Sequence, residues 1–408
     1  MRLRPSRRIA LYSHDTQGLG HIRRNIVLAA ALVAADPRTD VLLLTGAPEA
    51  TSLPLPPNTD IVTLPTIHKG VDGHYAARAL SSPLPQLLAL RSSILEASLT
   101  AFAPDLLVVD KVARGVDGEL DAALHALRGT DTRVVLGLRE ILDSPSVTQR
   151  EWASAETTET VRDYYDAIWV YGDRAVYDLV AECEMPDEVS SKVAYTGYLG
   201  NDRGTGTMLG TSPTRDAPPS AEQPPTERYV LCLVGGGQDG LELADAFVRA
   251  PLPAGHSGIV LTGPYMNADG RAALLRTAAR EPAMRVLEFV PDAERFISVA
   301  AAVVSMAGYN SVCELLAAGC RALLVPRTEP RTEQAIRARS LQRLGLVDVI
   351  EPDFAGPAQL GAWTADAVLA GPPLRSRINL DGLARVAILA EALLADRHAP
   401  TFELAHAV

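Results

Sequence analysis

Three glycine-bearing segments of this chain combine residue types able to do chemistry on an anionic or hydroxylated ligand. The first, Ser13-His14-Asp15-Thr16-Gln17-Gly18-Leu19-Gly20-His21-Ile22-Arg23-Arg24-Asn25, puts a histidine and basic residues on what reads as the first turn of a helix. Arg23 stands where a dinucleotide fingerprint needs its third glycine, so a nicotinamide or flavin site is poorly supported. The second, Gly235-Gly236-Gly237-Gln238-Asp239-Gly240, lets backbone N–H groups approach an anion at a helix N-terminus, where the macrodipole also favours negative charge. It lacks the Gly-Lys-Ser/Thr ending of a P-loop, and such glycines equally serve a plain tight turn. In the third, Ser305 to Glu314, the pattern Ser311-x-x-Glu314 has the spacing of a capping box, in which each side chain satisfies the other's backbone N–H. Further carboxylates and basic groups fall at predicted strand ends, in Asp110-Lys111, Arg139-Glu140-x-x-Asp143 and Tyr171-Gly172-Asp173. These suit a polyhydroxyl or amino-bearing ligand, or buried ion pairs, and Glu140 is taken as facing a ligand.

The elements that must carry these groups follow from hydrophobic periodicity. Short apolar runs alternate with longer helix-period segments, as in parallel strands covered on both faces by helices. Strands are predicted at Ile9–Ser13, Val41–Thr45, Leu106–Asp110, Val134–Leu138 and Ile168–Tyr171, with helices such as Ile22–Ala34 and Leu84–Phe102 between them. Residues 201–228 lose the apolar repeat to Pro, Gly, Ser and Thr and read as a linker or disordered loop. The alternation then restarts with strands Tyr229–Val234, Gly258–Thr262, Arg285–Phe289, Ala302–Met306 and Arg321–Pro326 and helices Leu241–Arg249, Glu294–Val299 and Ser311–Ala318. The class is therefore α/β, with a doubly wound domain at 1–200, a linker at 201–228, a second domain at 229–373 and a tail at 374–408. Helical spacing of Leu380, Leu383, Val386, Leu389 and Leu393 predicts a tail helix from Leu374 to Ala395 that could cross back onto the first domain. Doubly wound sheets bind ligands outside the carboxyl ends of their strands, where all three glycine segments fall.

Composition narrows the function classes. With 408 residues, 47% of them hydrophobic, the chain is long enough for two or three domains of roughly 100–200 residues. Forty-nine acidic against 38 basic residues, a net charge of −11, leave no broad positive field for nucleic acid. Four cysteines without a Cys-x-x-Cys pair fit a reducing, cytoplasmic setting. Met1 to Arg8 is basic, but the next segment turns polar too soon for a signal peptide. No stretch reaches the ~18 apolar residues of a membrane span, and attachment to a membrane surface stays open.

The segment Glu288-Phe289-Val290-Pro291-Asp292, followed by Gly308-x-x-Ser311-x-x-Glu314, Val325-Pro326 and Glu333-Gln334, resembles the donor half of glycosyltransferase family 28. Gly18-Leu19-Gly20-His21 is similar to the N-terminal Gly-Gly-His loop of that family, and the strand-end motifs of the first half resemble a MurG-like subgroup of predicted glycosyltransferases. The resemblance implies a GT-B fold, two Rossmann-like doubly wound domains facing a central cleft. It also implies site roles. Backbone groups of Phe289 and Val290 would pair with the nucleotide base, and Glu314, with Ser311 beside it, would take the ribose hydroxyls. Gly236, Gly237 and Gln238 would contact the diphosphate, with Gly308 at the start of a helix aimed at it and Gln334 at the donor sugar. His21 matches a catalytic base, with Asp110 as its expected partner although Asp15 is closer in sequence. Asp15, Gly18, Gly20 and Glu140 would line the acceptor side.

The implied reaction is inverting, cofactor-free and metal-independent transfer of a sugar from a nucleotide-diphosphate donor, UDP by family default, to a hydroxyl of a small-molecule or lipid-linked acceptor. No Asp-x-Asp motif is present. A cytoplasmic location follows, with contact at the inner membrane face and the oligomeric state both open. The stretch Gly18 to Arg24 also resembles the loop of nucleotide-sugar hydrolases, so hydrolase, epimerase and non-catalytic nucleotide-binding alternatives stand beside the transferase. Where the family places an arginine near the domain junction, this chain has Tyr198-Leu199-Gly200-Asn201, with Arg203 only nearby.

Overall fold

The computed structural model describes residues 7–15, 18–69, 75–200, 223–290, 292–370 and 378–395. Apolar runs that bury every residue have no amphipathic alternation to expose, so they pair laterally as parallel strands and take helices on both faces. In chain order the first domain supplies β1 (Arg7–Ser13), β2 (Thr39–Thr45), β3 (Thr59–Thr63), the antiparallel pair β4 (Ile67–Lys69) and β5 (Tyr75–Ala77), β6 (Leu106–Asp110), β7 (Arg133–Arg139), β8 (Ala167–Tyr171) and β9 (Val193–Tyr195). Seven of these form a parallel sheet in the order β3-β2-β1-β6-β7-β8-β9. The second domain supplies β10 (Tyr229–Leu233), β11 (Ser257–Leu261), β12 (Met284–Leu287), β13 (Ala302–Ser305), β14 (Ala322–Leu324) and β15 (Asp348–Val349), ordered β12-β11-β10-β13-β14-β15. In both sheets the winding reverses beside the first strand, at β1/β6 and β10/β13, which opens a crevice at the carboxyl ends there.

The edge strands β3, β9 and β15 escape prediction because they are short and only partly buried, so no continuous apolar run marks them. The strand predicted through Phe289 stops at Leu287, which leaves Phe289 in the following loop and 45% exposed.

One apolar cluster runs from the first domain into the second, joining Leu11 and Val108 to Leu231 and Val303. The tail closes it. A helix from Leu374 is corrected by the structure: it begins at Gly382, because residues 378–381 run extended along 198–200, with Tyr198 N–H donating to the Asn379 carbonyl at 2.8 Å and a bridge between Leu199 and Asp381. Helix Gly382–Ala395 then packs on helix Gly20–Ala35, where Val386, Ala390 and Leu394 join Ile26, Ala29 and Val33, and Glu391 pairs with Arg7 on β1. Most of the predicted linker, 201–222, and the start of the predicted tail, 374–377, lie outside the described residues. No described helix is long and apolar enough to cross a membrane.

Candidate active site

Between the carboxyl ends of the two sheets lies a cavity of about 320 Å³. This falls within the roughly 300–1,000 Å³ of small-ligand sites. Its first-domain wall includes Gly18, Gly20, His21 and Arg139, and its second-domain wall includes Gly236, Gln238, Phe289, Gly308, Glu314 and Gln334.

His21 owes its place to the turn after β1. The carboxylate of Asp15 accepts from the Ile22 N–H at 3.1 Å, from Thr45 Oγ1 at 2.6 Å and from Ser13 Oγ, which ties the first turn of the Gly20 helix to β1 and β2. Asp15 is buried and absent from the cavity wall, which corrects its expected place on the acceptor side: it caps and positions the histidine loop. Because β1 pairs directly with β6, the end of β6 delivers Asp110 to the imidazole, and His21 Nδ1 bonds the Asp110 carboxylate. Arg24, one helical turn after His21, donates to both oxygens of the same carboxylate at 2.6 Å. Burial alone would raise the Asp110 pKa, but the Arg24 guanidinium and His21 hold it well below the usual carboxylate range. Burial lowers the His21 pKa, against the pull of Asp110 and with the help of Arg24. The imidazole is therefore neutral near pH 7, with Nδ1–H on Asp110 and Nε2 free to accept a proton. His14, its ring centroid 4.7 Å from that of His21, is held neutral by burial and by the neighbouring His21 and Lys111.

The opposite wall presents helix ends. Helix Tyr309–Ala318 starts at Gly308 with no side-chain cap, so its first N–H groups are available to an anion. This start also removes the capping-box explanation of Ser311 and Glu314, which instead lie inside the first turns and line the cavity. Helix Leu241–Val248 likewise starts at Gly240 with no side-chain cap, behind the Gly235–Gly236 turn. Gly237 is turned away from the cavity. Its φ is +92°, and a Cβ there would run into the Thr262 carbonyl, so it shapes the turn and Gly236 and Gln238 face the ligand space. Gln334 accepts the Arg327 N–H at 3.2 Å through Oε1 and lines the cavity. Val290 is buried behind the exposed Phe289, and both border the cavity.

Glu140 is not a ligand-facing group. It is fully buried in a bidentate pair with Arg337 of helix Glu333–Arg343, at 2.6 and 3.1 Å, and also accepts from the Tyr198 hydroxyl at 3.1 Å. The pair joins the domains, as does Asp143, which accepts from the Thr332 N–H at 3.0 Å and Oγ1 at 2.9 Å. Across the mouth, Asn310 Nδ2 donates to the Gly20 carbonyl at 3.0 Å. The sequence motifs contain Arg24 and His14 without giving either a role, and they leave Arg139 between ligand contact and a buried ion pair. For Arg24 the available signal was its spacing of three from His21, which stacks both on one helix face. Among the described residues no group of three His, Cys, Asp or Glu could hold a metal ion.

Residues 232–370 match the model of the glycosyltransferase family 28 C-terminal domain. A UDP-N-acetylglucosamine–N-acetylmuramyl-(pentapeptide) pyrophosphoryl-undecaprenol N-acetylglucosamine transferase of Sorangium cellulosum is 30% identical over 201 residues, 46% of this chain and 49% of that protein. The chain thus spans about half the length of the curated relatives it matches. Across 97% of this chain and the whole of the other, the structure superposes on the calicheamicin glycosyltransferase CalG4 with a TM-score of 0.58 at 17% identity. MurG of Acinetobacter baumannii superposes with a TM-score of 0.53 at 15% identity, over 95% of each chain. The fold is GT-B.

Proposed function

With residues 232–370 belonging to the glycosyltransferase family 28 C-terminal domain on a GT-B frame, we propose that the protein is an inverting glycosyltransferase that uses a nucleotide-diphosphate sugar, by family precedent a UDP-sugar. The observation that carries the proposal is the His21–Asp110 pair opening into the same cavity as the donor loops of the second domain. In this reading the nucleotide lies on the second domain. Phe289 and Val290 border its base, Glu314 accepts from its ribose hydroxyls, and the diphosphate faces Gly236, Gln238 and the uncapped start of the Tyr309 helix. Gln334 offers its amide to the sugar.

An acceptor hydroxyl entering beside Gly18 and Gly20 gives its proton to His21 Nε2 as its oxygen bonds the anomeric carbon. The bond from that carbon to the diphosphate oxygen breaks on the opposite face, which inverts the centre. Asp110 stabilises the imidazolium that forms, and general-base assistance of this kind contributes about 10²–10⁴ in rate. The leaving diphosphate keeps the electron pair and is stabilised by preorganised N–H groups and helix dipoles. The acceptor is a small-molecule or lipid-linked alcohol, and the protein works in the cytoplasm or on the inner face of the membrane.

The test is nucleoside diphosphate release from a panel of UDP-, TDP-, GDP- and ADP-sugars, with and without pooled alcohol and amino-sugar acceptors, for wild type and His21→Ala. Acceptor-dependent release that is lost in the variant supports a transferase. Release at full rate in water alone assigns a hydrolase to the same cleft, and tight nucleotide binding without release under any condition assigns a binding protein.

A further inference from the structure

Two cations at strand ends of the first domain, Arg139 in the cavity wall and Lys111 beside it, form no ion pair among the described residues. Arg139 ends β7 and lines the cavity. Among the described residues it forms no salt bridge or hydrogen bond through its side chain, and its Nε is buried without a partner. The other arginines around it are engaged, Arg24 by Asp110, Arg337 by Glu140 and Arg331 by Asp143 and Glu151. Lys111 follows β6, the strand beside β7, and its N–H bonds the Gly137 carbonyl at 2.8 Å, which brings both cations to neighbouring strand ends. No acceptor in the described residues takes a hydrogen bond from its ammonium. Burial, Arg139 and Arg331 lower the Lys111 amine to about 7 against the pull of Glu151 and Glu333, and burial with Arg337 and Arg24 lowers Arg139 to about 10 against the pull of Glu333 and Glu140, so the surrounding cations outweigh the carboxylates at both groups. A partly desolvated pair of like charges in a chain of net charge −11 is an unfavourable arrangement that an oxyanion would relieve.

We infer that Arg139 and Lys111 form an anion site on the acceptor side of the cleft, which takes a sulfate-, phosphate- or carboxylate-bearing acceptor. The inference rests on the donor reading above, because the second-domain loops are what leave this wall to the second substrate. Arg139 lies two strands from β1, a displacement of about 10 Å at ~4.8 Å per strand. An acceptor anchored there places its anionic group several bonds from the hydroxyl that meets His21. The Arg139 guanidinium fork suits two oxygens of one oxyanion, and the Lys111 ammonium on the neighbouring strand end adds positive charge to the same side.

The full chain, saturated with UDP to fill the donor side, is dialysed to equilibrium against radiolabelled sulfate, an anion whose charge does not change near neutral pH. One sulfate per chain is expected, with affinity lowered at least about tenfold in Arg139→Met and in Lys111→Met. The UDP affinity should stay within about twofold of wild type in both, since neither group touches the donor in this assignment. Arg139→Met should melt no lower than wild type, because it removes a charge that has no partner. Absence of sulfate binding, or binding indifferent to both substitutions, overturns the site. A tenfold loss of UDP affinity in Arg139→Met also overturns it, by assigning the guanidinium to the donor diphosphate. If UDP does not bind wild type, the donor reading fails, and sulfate binding measured without UDP still decides the anion site by its dependence on Arg139 and Lys111.

Discussion

Replacing Arg337 with methionine removes the cationic half of a pair that is 0% exposed on both sides and bridges the two domains. Glu140 would keep only the Tyr198 hydroxyl, at 3.1 Å, in place of two guanidinium bonds at 2.6 and 3.1 Å, and the Ala307 carbonyl would lose its 3.0 Å donor. Breaking a buried pair in this way costs about 3–5 kcal/mol, because the remaining carboxylate stays buried without compensation. A change of that size lowers a melting midpoint by roughly 6–20 °C for domains of this length, at about 2–4 °C per kcal/mol. Calorimetric scans of the full chain read the shift directly. The double substitution Glu140→Leu with Arg337→Met should recover most of the loss, since a well-packed apolar replacement of a buried pair is near neutral. A single-variant loss under about 1 kcal/mol, or a double variant no better than the single one, would refute the reasoning that the charge is sealed at the domain junction.

His21→Ala should lower turnover by about 10²–10⁴ while nucleotide binding measured by calorimetry is retained, and activity within a few-fold of wild type would remove the base assignment. Burial lowers the His21 pKa, so the neutral base persists below pH 6.5 and the acid limb of kcat/KM should lie under that value. In the same window the unfolded chain binds the proton that the folded one resists, so the His21 contribution to stability is complete above pH 6.5 and is lost as pH falls through the lower folded value. An acid limb above pH 7 contradicts both statements. Glu314→Ala should raise the donor KM roughly tenfold or more with kcat little changed, and an unaltered donor affinity would take the ribose away from this carboxylate. Gly237→Ala forces a Cβ onto the Thr262 carbonyl at a φ of +92° and should destabilise the second domain by about 1–3 kcal/mol in denaturant titrations. A neutral effect there would mean that the turn is not held in this conformation.

The central strands were legible because they are apolar at nearly every position, and the α/β class followed from their alternation with helices. The nearness of Asp110 to His21, 89 residues apart, depends on β1 and β6 being neighbours, which a doubly wound sheet produces at its switch point. Glu140 was misread because a strand-end carboxylate looks alike in sequence whether it meets a ligand or an arginine 197 residues away. Ser311 and Glu314 carried a spacing shared by two structures, and only the start of the helix at Tyr309 separates them. Arg139 stood in a strand-end motif that read equally as ligand-facing or as one half of a buried ion pair. What separates the two is that its Nε is buried with no partner among the described residues, and residue spacing does not encode absence.

The return of the Gly382 helix to the first domain makes the order of synthesis matter. The ribosome delivers β1 and the Gly20 helix first, but Val386, Ala390 and Leu394, which cover Ile26, Ala29 and Val33, emerge only after the second domain has been translated. Until then the nascent first domain carries an uncovered apolar strip and an extended segment at 198–200 without its partner at 379–382. Vectorial folding of the first domain is thus incomplete by design of the chain path, and its last step doubles as a latch that fixes the second domain in place.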